Sequence, residues 1–396
     1  MSRIGLIGNG VASTTAIREI RNIDTEVEID VFSDERHAYY PRPNLIDLVA
    51  GKRSIEEAIR YHRDWYEEQA ANLLTSKPVI QIETDSKTVI TTSTTHPNYD
   101  SLLIAVGCVP FIPPFEGLEK RNVHVIRTLD DALDIKEAVK GSGREIIVGG
   151  GILGIELAAA IKAIGGDPII ATNIDILLPQ QLDEVGSQIL LGHLEKMGLT
   201  VLRRFSCTRI SGDYAANGIV SDKGDRIDGD LVVIATGVRS NIQIAKNSGI
   251  NVHHGIIADD FMQTSSPGIF AAGDCMEWNG QWFGIIPWAT ATARVAANNM
   301  LNFGSMKFEG ITSSNTLQVA GIDLSSVGVT NPKTPEYEIW ASVDEDKETY
   351  YKAVVKDNII VGAISLGNRK IAMKLRGLVN KKIDVSGMKQ SIFEDD

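Results

Sequence analysis

Cysteine is scarce in this sequence. The three residues, Cys108, Cys207 and Cys275, stand far apart and form no CxxC pair. That spacing argues against a thioredoxin-like dithiol and against a zinc knuckle, and so few thiols suit a reducing compartment. Positive charge is also in deficit: the net charge is −12, which argues against a general polyanion binder, nucleic acid included. Long apolar runs are absent. The most apolar stretch, Leu102 to Phe115, is interrupted by three prolines and is too short to cross a bilayer. Met1-Ser2-Arg3 runs straight into Ile4-Gly5-Leu6-Ile7, too short for the apolar core of a secretion signal. The expectation is a soluble, cytoplasmic chain with no metal centre and no membrane or nucleic-acid partner. Its 396 residues, 43% hydrophobic and 23% charged, suffice for two or three globular domains.

What the sequence does have is glycine in two organised loops. The strand-like Ile4–Ile7 enters Gly8-Asn9-Gly10-Val11-Ala12-Ser13, and a helical pattern follows to Ile20. In such a loop Gly8 permits the tight turn and Gly10 lets a pyrophosphate approach the backbone. Ser13 is small enough to let helix and strand pack closely. The helix start then offers N–H groups and a positive dipole end to phosphate. A second strand, Val27–Phe32, ends at Ser33-Asp34-Glu35, and either Asp34 or Glu35 can accept hydrogen bonds from a ribose. The pattern returns at Glu145–Val148, which enters Gly149-Gly150-Gly151-Ile152-Leu153-Gly154 before an apolar helix. Two such βαβ units point to two dinucleotide sites. The second strand of the second unit, Pro168–Ala171, ends at Thr172-Asn173. It carries neither an acid for a ribose nor an arginine for a 2′-phosphate. Two further apolar strands, 99–107 and 230–237, each end in glycine, Gly107 and Gly237. Each has the form of a buried strand whose end lets the chain pass close to something bulky.

In order, GNGVAS, YDSLLIAVGCVP, GGGILGIE, DLVVIATG and TSSPGIFAAGD resemble the FAD-dependent pyridine nucleotide–disulfide oxidoreductase superfamily over essentially the whole chain. The resemblance implies an α/β fold: two Rossmann-like dinucleotide-binding domains, for FAD and NAD(P), plus a smaller α+β C-terminal domain. The expected divisions are 1–117 and 238–308 for the FAD domain, 118–237 for the NAD(P) domain and 309–396 for an interface domain. In the family, the acid at Asp274 hydrogen-bonds the ribitol of FAD while the turn at Gly273 approaches the pyrophosphate. The resemblance also places Gly149, Gly151, Gly154, Thr172 and Gly237 at NAD(P).

The segment Tyr39-Tyr40-Pro41-Arg42-Pro43-Asn44-Leu45-Ile46 has no cysteine where disulfide-reducing members carry one, so a thiolate relay has no residue to carry it. It is similar instead to the segment of rubredoxin reductases, ferredoxin reductases of oxygenase systems and the flavin domain of NADH-nitrite reductases. That likeness puts Arg42 and Pro43 by the flavin, with Arg42 stabilising negative charge on the reduced ring. Arg127 and Trp288 are further expected FAD contacts. Glu156, two residues beyond the second loop, is the expected acid on the nicotinamide side.

Beyond residue 309 the sequence reads as a meander, Tyr337–Val343, Thr349–Lys356 and Ile359–Leu366. An amphipathic helix with Ile371, Leu375 and Leu378 on one face follows. Arg369, Lys370, Lys374, Arg376, Lys381 and Lys382 make this segment basic with no acid among them. That is a candidate docking patch for a small acidic electron carrier, rubredoxin or ferredoxin. The implied activity is a flavoprotein reductase taking hydride from NADH or NADPH, as a monomer or homodimer. A small NADH oxidase and a non-catalytic FAD-binding subunit are the alternatives.

Overall fold

A computed structural model describes residues 2–311, 314–332 and 334–394 of the chain. The elements that build the sites run in this order. The first are β1 (Arg3–Ile7), α1 (Val11–Ile23), β2 (Glu28–Phe32), β3 (Ala71–Leu74) and β4 (Ser101–Ile104). Then come β5 (Val123–Val125), β6 (Glu145–Val148), α2 (Ile152–Ala163), β7 (Ile169–Ala171), α3 (Glu184–Lys196), β8 (Thr200–Leu202) and β9 (Leu231–Ile234). They are followed by β10 (Ile269–Ala271) and α4 (Ile286–Leu301). The chain closes with β11 (Ser314–Val319), β12 (Ile322–Gly328), β13 (Glu338–Asp344), β14 (Thr349–Lys356), β15 (Ile359–Leu366) and α5 (Arg369–Lys381). Contacts divide the chain into two units. One holds 1–111, 127–132 and 238–311, and the other holds 112–126, 133–237 and 312–396.

The first unit is built on a parallel sheet in the order β10-β4-β1-β2-β3. The last four residues of β1, all of β4 and all of β10 are buried. Continuous burial is what a parallel sheet covered on both faces requires, and it explains the unbroken apolar runs. The helices α1 and α4 pack together beside it. Small side chains permit that packing: Ala12, Ala16, Ala289, Ala293, Ala296 and Ala297 are all buried. The second unit repeats the plan in β8-β7-β6-β9-β5, again parallel throughout. In both sheets the central strand has its successor in sequence on one side and a later strand on the other. The ends of β1 and β6 are therefore switch points, where open α/β sheets leave a crevice.

The second unit also contains the C-terminal sheet, antiparallel in the order β11-β12-β15-β14-β13. The meander β13–β15 falls where the sequence places it, and Asp357 and Asn358 make its tight turn with φ of 50° and 59°. The strands β11 and β12 were not visible in the sequence, because half their residues are Ser, Asn, Thr, Gln and Asp rather than apolar. On α5 the buried face is Ile371, Ala372, Leu375 and Val379; Leu378, expected on that face, is only partly buried.

Asp183 joins α3 to this sheet. It caps α3 by accepting the Gly186 N–H at 3.0 Å. Its Oδ2 also accepts the Tyr350 hydroxyl at 2.6 Å and the Lys352 ammonium at 2.7 Å. Burial alone would raise the Asp183 pKa, but Lys352, Tyr350 and the Gly186 amide outweigh it and hold the carboxyl below its ordinary value. A depressed carboxyl stabilises the fold above its unfolded pKa and loses that contribution as pH falls through the folded one. Asp183→Ala leaves the Lys352 side chain, 9% exposed, without its anion, which is expected to cost about 3 kcal/mol at pH 7. Urea midpoints of wild type and variant should converge as pH is lowered below the ordinary carboxylate value of 3.8. Equal midpoints at pH 7 would show that the bridge stabilises nothing.

Candidate functional site

The two glycine loops share one local geometry. Gly8 has φ +108°, and a Cβ there would lie 2.3 Å from the Ala105 carbonyl oxygen. Gly149 has φ +131°, and a Cβ there would lie 2.3 Å from the Ala235 carbonyl oxygen. In each unit the loop after the central strand is pressed against the chain leaving the neighbouring strand, and only glycine fits. Gly10 and Gly151 are the N-caps of α1 and α2, and a Cβ on either would meet nothing within 4 Å. Neither helix has a side-chain cap or an acid in its first turn. By contrast α3 and α5 are capped by Asp183 and Asn368. The first amides of α1 and α2 therefore face open space with their positive ends uncompensated, which fits a pyrophosphate.

The third small position is used differently in the two loops. A Cβ on Gly154 would stand 2.1 Å from the Gly149 carbonyl oxygen. Ser13 has room for its side chain and donates its hydroxyl to the Gly8 carbonyl at 2.6 Å.

Around the first loop the structure gathers most of the residues singled out in the sequence. Arg42 Nη2 lies 2.7 Å from Glu35 Oε1, and Arg42 Nη1 donates to the Arg127 carbonyl at 2.9 Å. Pro43 is the N-cap of the short helix Asn44–Val49 that carries Arg42 into place. Asp34, the other candidate acid, is exposed, whereas Glu35 is engaged by Arg42 and by the Tyr40 hydroxyl. Tyr40 also receives the Leu129 N–H at 2.8 Å and lies under the Arg42 guanidinium, 4.9 Å from ring centroid to Cζ.

Gly273–Cys275 forms a single 3₁₀ turn after β10. The Gly273 N–H donates to Thr292 Oγ1 at 3.0 Å, and Trp288 Nε1 donates to the Gly273 carbonyl at 3.3 Å. Trp288 is fully buried, with Phe283 and Phe308 against its edges, so it supports this turn from beneath. The Asp274 carbonyl accepts Ser240 Oγ and Trp282 Nε1, both at 2.8 Å. Burial pushes the Asp274 carboxyl up from its ordinary value, against the opposing effects of Arg127, the Cys108 thiol and Arg42. Tyr40, Ser240, Trp282 and Thr292 had no signal in the sequence beyond lying in or near the motifs. Tyr66 had none at all, yet its hydroxyl holds the Asn9 side chain of the first loop at 2.6 Å.

At the second loop, Thr172 is buried, with its side chain 3.0 Å from where a Gly150 Cβ would stand. Gly237 has φ +109° with open space beside it. Glu156 accepts the backbone N–H of Ala320, in the β11–β12 turn. Ala320 is left-handed, φ +50°, and its carbonyl accepts His193 Nε2 at 2.9 Å. His193 Nδ1 faces Glu348, which also binds Lys196 at 2.8 Å. Thus Glu156 on α2 and His193 on α3 grip the two sides of one peptide turn of the C-terminal sheet, a role that no local motif announces.

The cysteines are all free and buried. Burial pushes the thiols of Cys108 and Cys275 up to about 12 and that of Cys207 up to about 11. None is a thiolate near neutral pH.

Residues 2–296 match the family described as pyridine nucleotide-disulphide oxidoreductase, and residues 314–383 match the rubredoxin NAD+ reductase C-terminal domain. The chain is 35% identical over 382 residues to a nitrite reductase [NAD(P)H] of Bacillus subtilis (strain 168), covering 96% of this chain and 47% of that one. It is 33% identical over 396 residues to the assimilatory nitrate reductase electron transfer subunit of the same organism, covering 99% of this chain and 51% of that one. The chain thus spans about half the length of these curated relatives. The crystal structure of NADH:rubredoxin oxidoreductase from Clostridium acetobutylicum superimposes with a TM-score of 0.80 at 27% identity, covering 98% of this chain and 97% of that one. FAD and NAD(P)H are the cofactor and co-substrate of such enzymes. On its paired glycine loops, its fold and a match across most of its length, the chain belongs to the pyridine nucleotide-disulphide oxidoreductase family.

Proposed function

We propose that this chain holds FAD at the first glycine loop, takes hydride from NAD(P)H held at the second, and delivers electrons to a small iron protein such as rubredoxin or ferredoxin. The observation that carries the reading is the pair of uncapped glycine loops, each pressed on a neighbouring strand's carbonyl, in a chain whose three thiols are buried and protonated. When bound, FAD supplies the exchange between two-electron hydride chemistry and one-electron transfer.

The chain's own residues do the rest. Gly10, Ser13 and the first amides of α1 receive the pyrophosphate, and Asp34 or Glu35 the adenosine ribose. Asp274, at the end of β10, accepts from the ribitol. Arg42 and Arg127 put two fixed positive charges beside Asp274, where they favour an electron-rich ring. Gly149, Gly151, Gly154, Thr172 and Gly237 shape the nicotinamide nucleotide site. Glu156 lies in the opening turns of α2, on the nicotinamide side of that site.

For the acceptor, the basic face of α5 is the proposed dock. Arg369, Lys370, Lys381 and Lys382 are exposed. Lys374, half-buried like Arg376, donates to the Ser391 and Glu394 carbonyls. The similarity to NADH:rubredoxin oxidoreductase across nearly the full length of both chains supports a small soluble acceptor. A second reading rests on the half-length coverage of the nitrite and nitrate reductase relatives. There the acceptor is a redox centre in additional polypeptide of such a system.

The reading is tested by anaerobic titration of the FAD-loaded protein with NADH and with NADPH, following flavin absorbance. Bleaching by either is expected, with reoxidation by added rubredoxin or ferredoxin that slows as salt rises. A flavin that stays oxidised with both nucleotides would leave only a flavin-binding subunit, and reoxidation by oxygen alone would indicate an oxidase.

The two loops are separable by mutation. Gly8→Ala should yield colourless protein. Gly149→Ala should keep the flavin but slow its reduction by about two orders of magnitude. If instead Gly149→Ala loses the colour, the assignment of cofactors to loops is reversed.

Thiols should be spectators. Iodoacetamide at pH 8 should label none of the three cysteines in the native protein and all of them in urea, and Cys108→Ser should reduce its flavin at the wild-type rate. A rate loss of more than tenfold would restore a thiol to the pathway.

A further inference from the structure

The second loop lacks a charged reader at the end of its own second strand, but the neighbouring strand supplies one. β7 and β8 pair in parallel, Ile169 with Thr200 through Ala171 with Leu202. The pairing continues past both ends. The Thr172 N–H donates to the Leu202 carbonyl at 2.9 Å, and the Phe205 N–H donates to the Thr172 carbonyl at 2.9 Å. Arg203 and Arg204 therefore run alongside Thr172–Asp175, at the strand end where a dinucleotide's adenosine ribose lies in this architecture. Arg204 is held at φ +58°, a left-handed conformation that a long side chain adopts only where the surrounding structure imposes it.

Both guanidinium groups converge on Asp175. Arg204 Nη2 meets its Oδ2, while Arg203 Nη1 lies 3.5 Å from Oδ1 and 3.2 Å from its carbonyl oxygen. The Asp175 carboxyl is held below its ordinary value chiefly by the Arg204 hydrogen bond, with the charges of Arg204 and Arg203 adding to it. One carboxylate cannot satisfy two planar forks of donors, so the cluster keeps a net positive charge. The side chains of Arg203 and Arg204 are 36% and 72% exposed, open to a ligand rather than closed in a core. Arginine forks match the oxygens of a phosphate in pairs, and a neutral Thr172-Asn173 offers a 2′-phosphate no repulsion.

We propose that Arg203 and Arg204 bind the 2′-phosphate of the adenosine ribose, so that the second loop prefers NADPH to NADH. Asp175 keeps the two forks in place when the site is empty and yields them to the incoming phosphate. The inference rests on the reading of this loop as the nicotinamide nucleotide site.

The test is equilibrium binding to the FAD-loaded full chain by titration calorimetry, with adenosine 2′,5′-bisphosphate as the probe and 5′-AMP as the control. The bisphosphate should bind at least about tenfold more tightly than 5′-AMP, with the advantage shrinking as salt is raised. Arg203→Ala and Arg204→Ala should each remove most of that advantage and leave 5′-AMP unchanged. Arg204→Lys should recover part of it. Asp175→Ala should strengthen bisphosphate binding, because it frees both forks and removes a negative charge. Equal affinities for the two probes in wild type, or equal losses in the arginine variants, would overturn the proposal. Failure of both probes to bind would instead remove the nucleotide-site reading on which the proposal stands.

Discussion

Two backbone carbonyls, those of Ala105 and Ala235, set the form of the cofactor-binding parts of this chain. Each belongs to the segment leaving a buried parallel strand, and each presses on the first glycine of a phosphate loop with no space for a side chain. This contact fixes how the loop leaves the central strand, and hence where the following helix begins. A helix begun in this way has its first amides aimed at the switch point of the sheet, and neither α1 nor α2 places a side chain or an acid there to consume them. The anion site is thus a consequence of close packing in the sheet, made from backbone rather than from charged side chains. An overall charge of −12 is compatible with phosphate binding for this reason.

The parts of the fold governed by that contact were the legible ones. Glycine at a forced positive φ and an unbroken apolar strand leave local, short-range signatures, so the strands around both loops were readable to within three residues. The position of Asp274 just after such a strand was legible in the same way. What could not be read was whatever depends on residues meeting from distant parts of the chain. Tyr66 reaches Asn9 across the first unit, and Tyr40 ties Glu35, Arg42 and Leu129 together; neither leaves a periodic trace. The strands β11 and β12 escaped because their many polar residues break the continuous hydrophobicity that marks a parallel core strand. The absence of charge after β7 is local and legible, but the arginines beside it come from the next strand, about thirty residues later, and only the register of β7 with β8 brings them there.

Burial treats the titratable groups unequally. At the thiols desolvation is the largest effect, and the positive charges of Arg127 and Arg42 near Cys108 and the amides near Cys275 do not overcome it, so they stay neutral. Arg42, whose side chain is 38% exposed, is partly desolvated too, yet Tyr40 and Glu35 more than compensate, and its pKa rises. The first unit can therefore keep Cys108 and Cys275 inert while holding Arg42 as a permanent cation. That distinction separates a chain that passes electrons directly from one that passes them through sulfur.

The grip on Ala320 has a consequence for how this protein responds to its ligands. The carboxylate that holds the Ala320 amide belongs to α2, the helix whose opening amides form the phosphate site, and the imidazole that holds its carbonyl belongs to α3. The turn is therefore tied directly to both helices. On the proposed reading, a nucleotide that shifted α2 would pull on this turn through the Glu156 bond. Where such a shift changes the hold of a partner on that sheet, reciprocity requires the partner to change the affinity of the loop by the same factor. A peptide turn with an alanine at its tip thus links α2, α3 and the C-terminal sheet, parts of the sequence that the glycine motifs alone would leave unconnected.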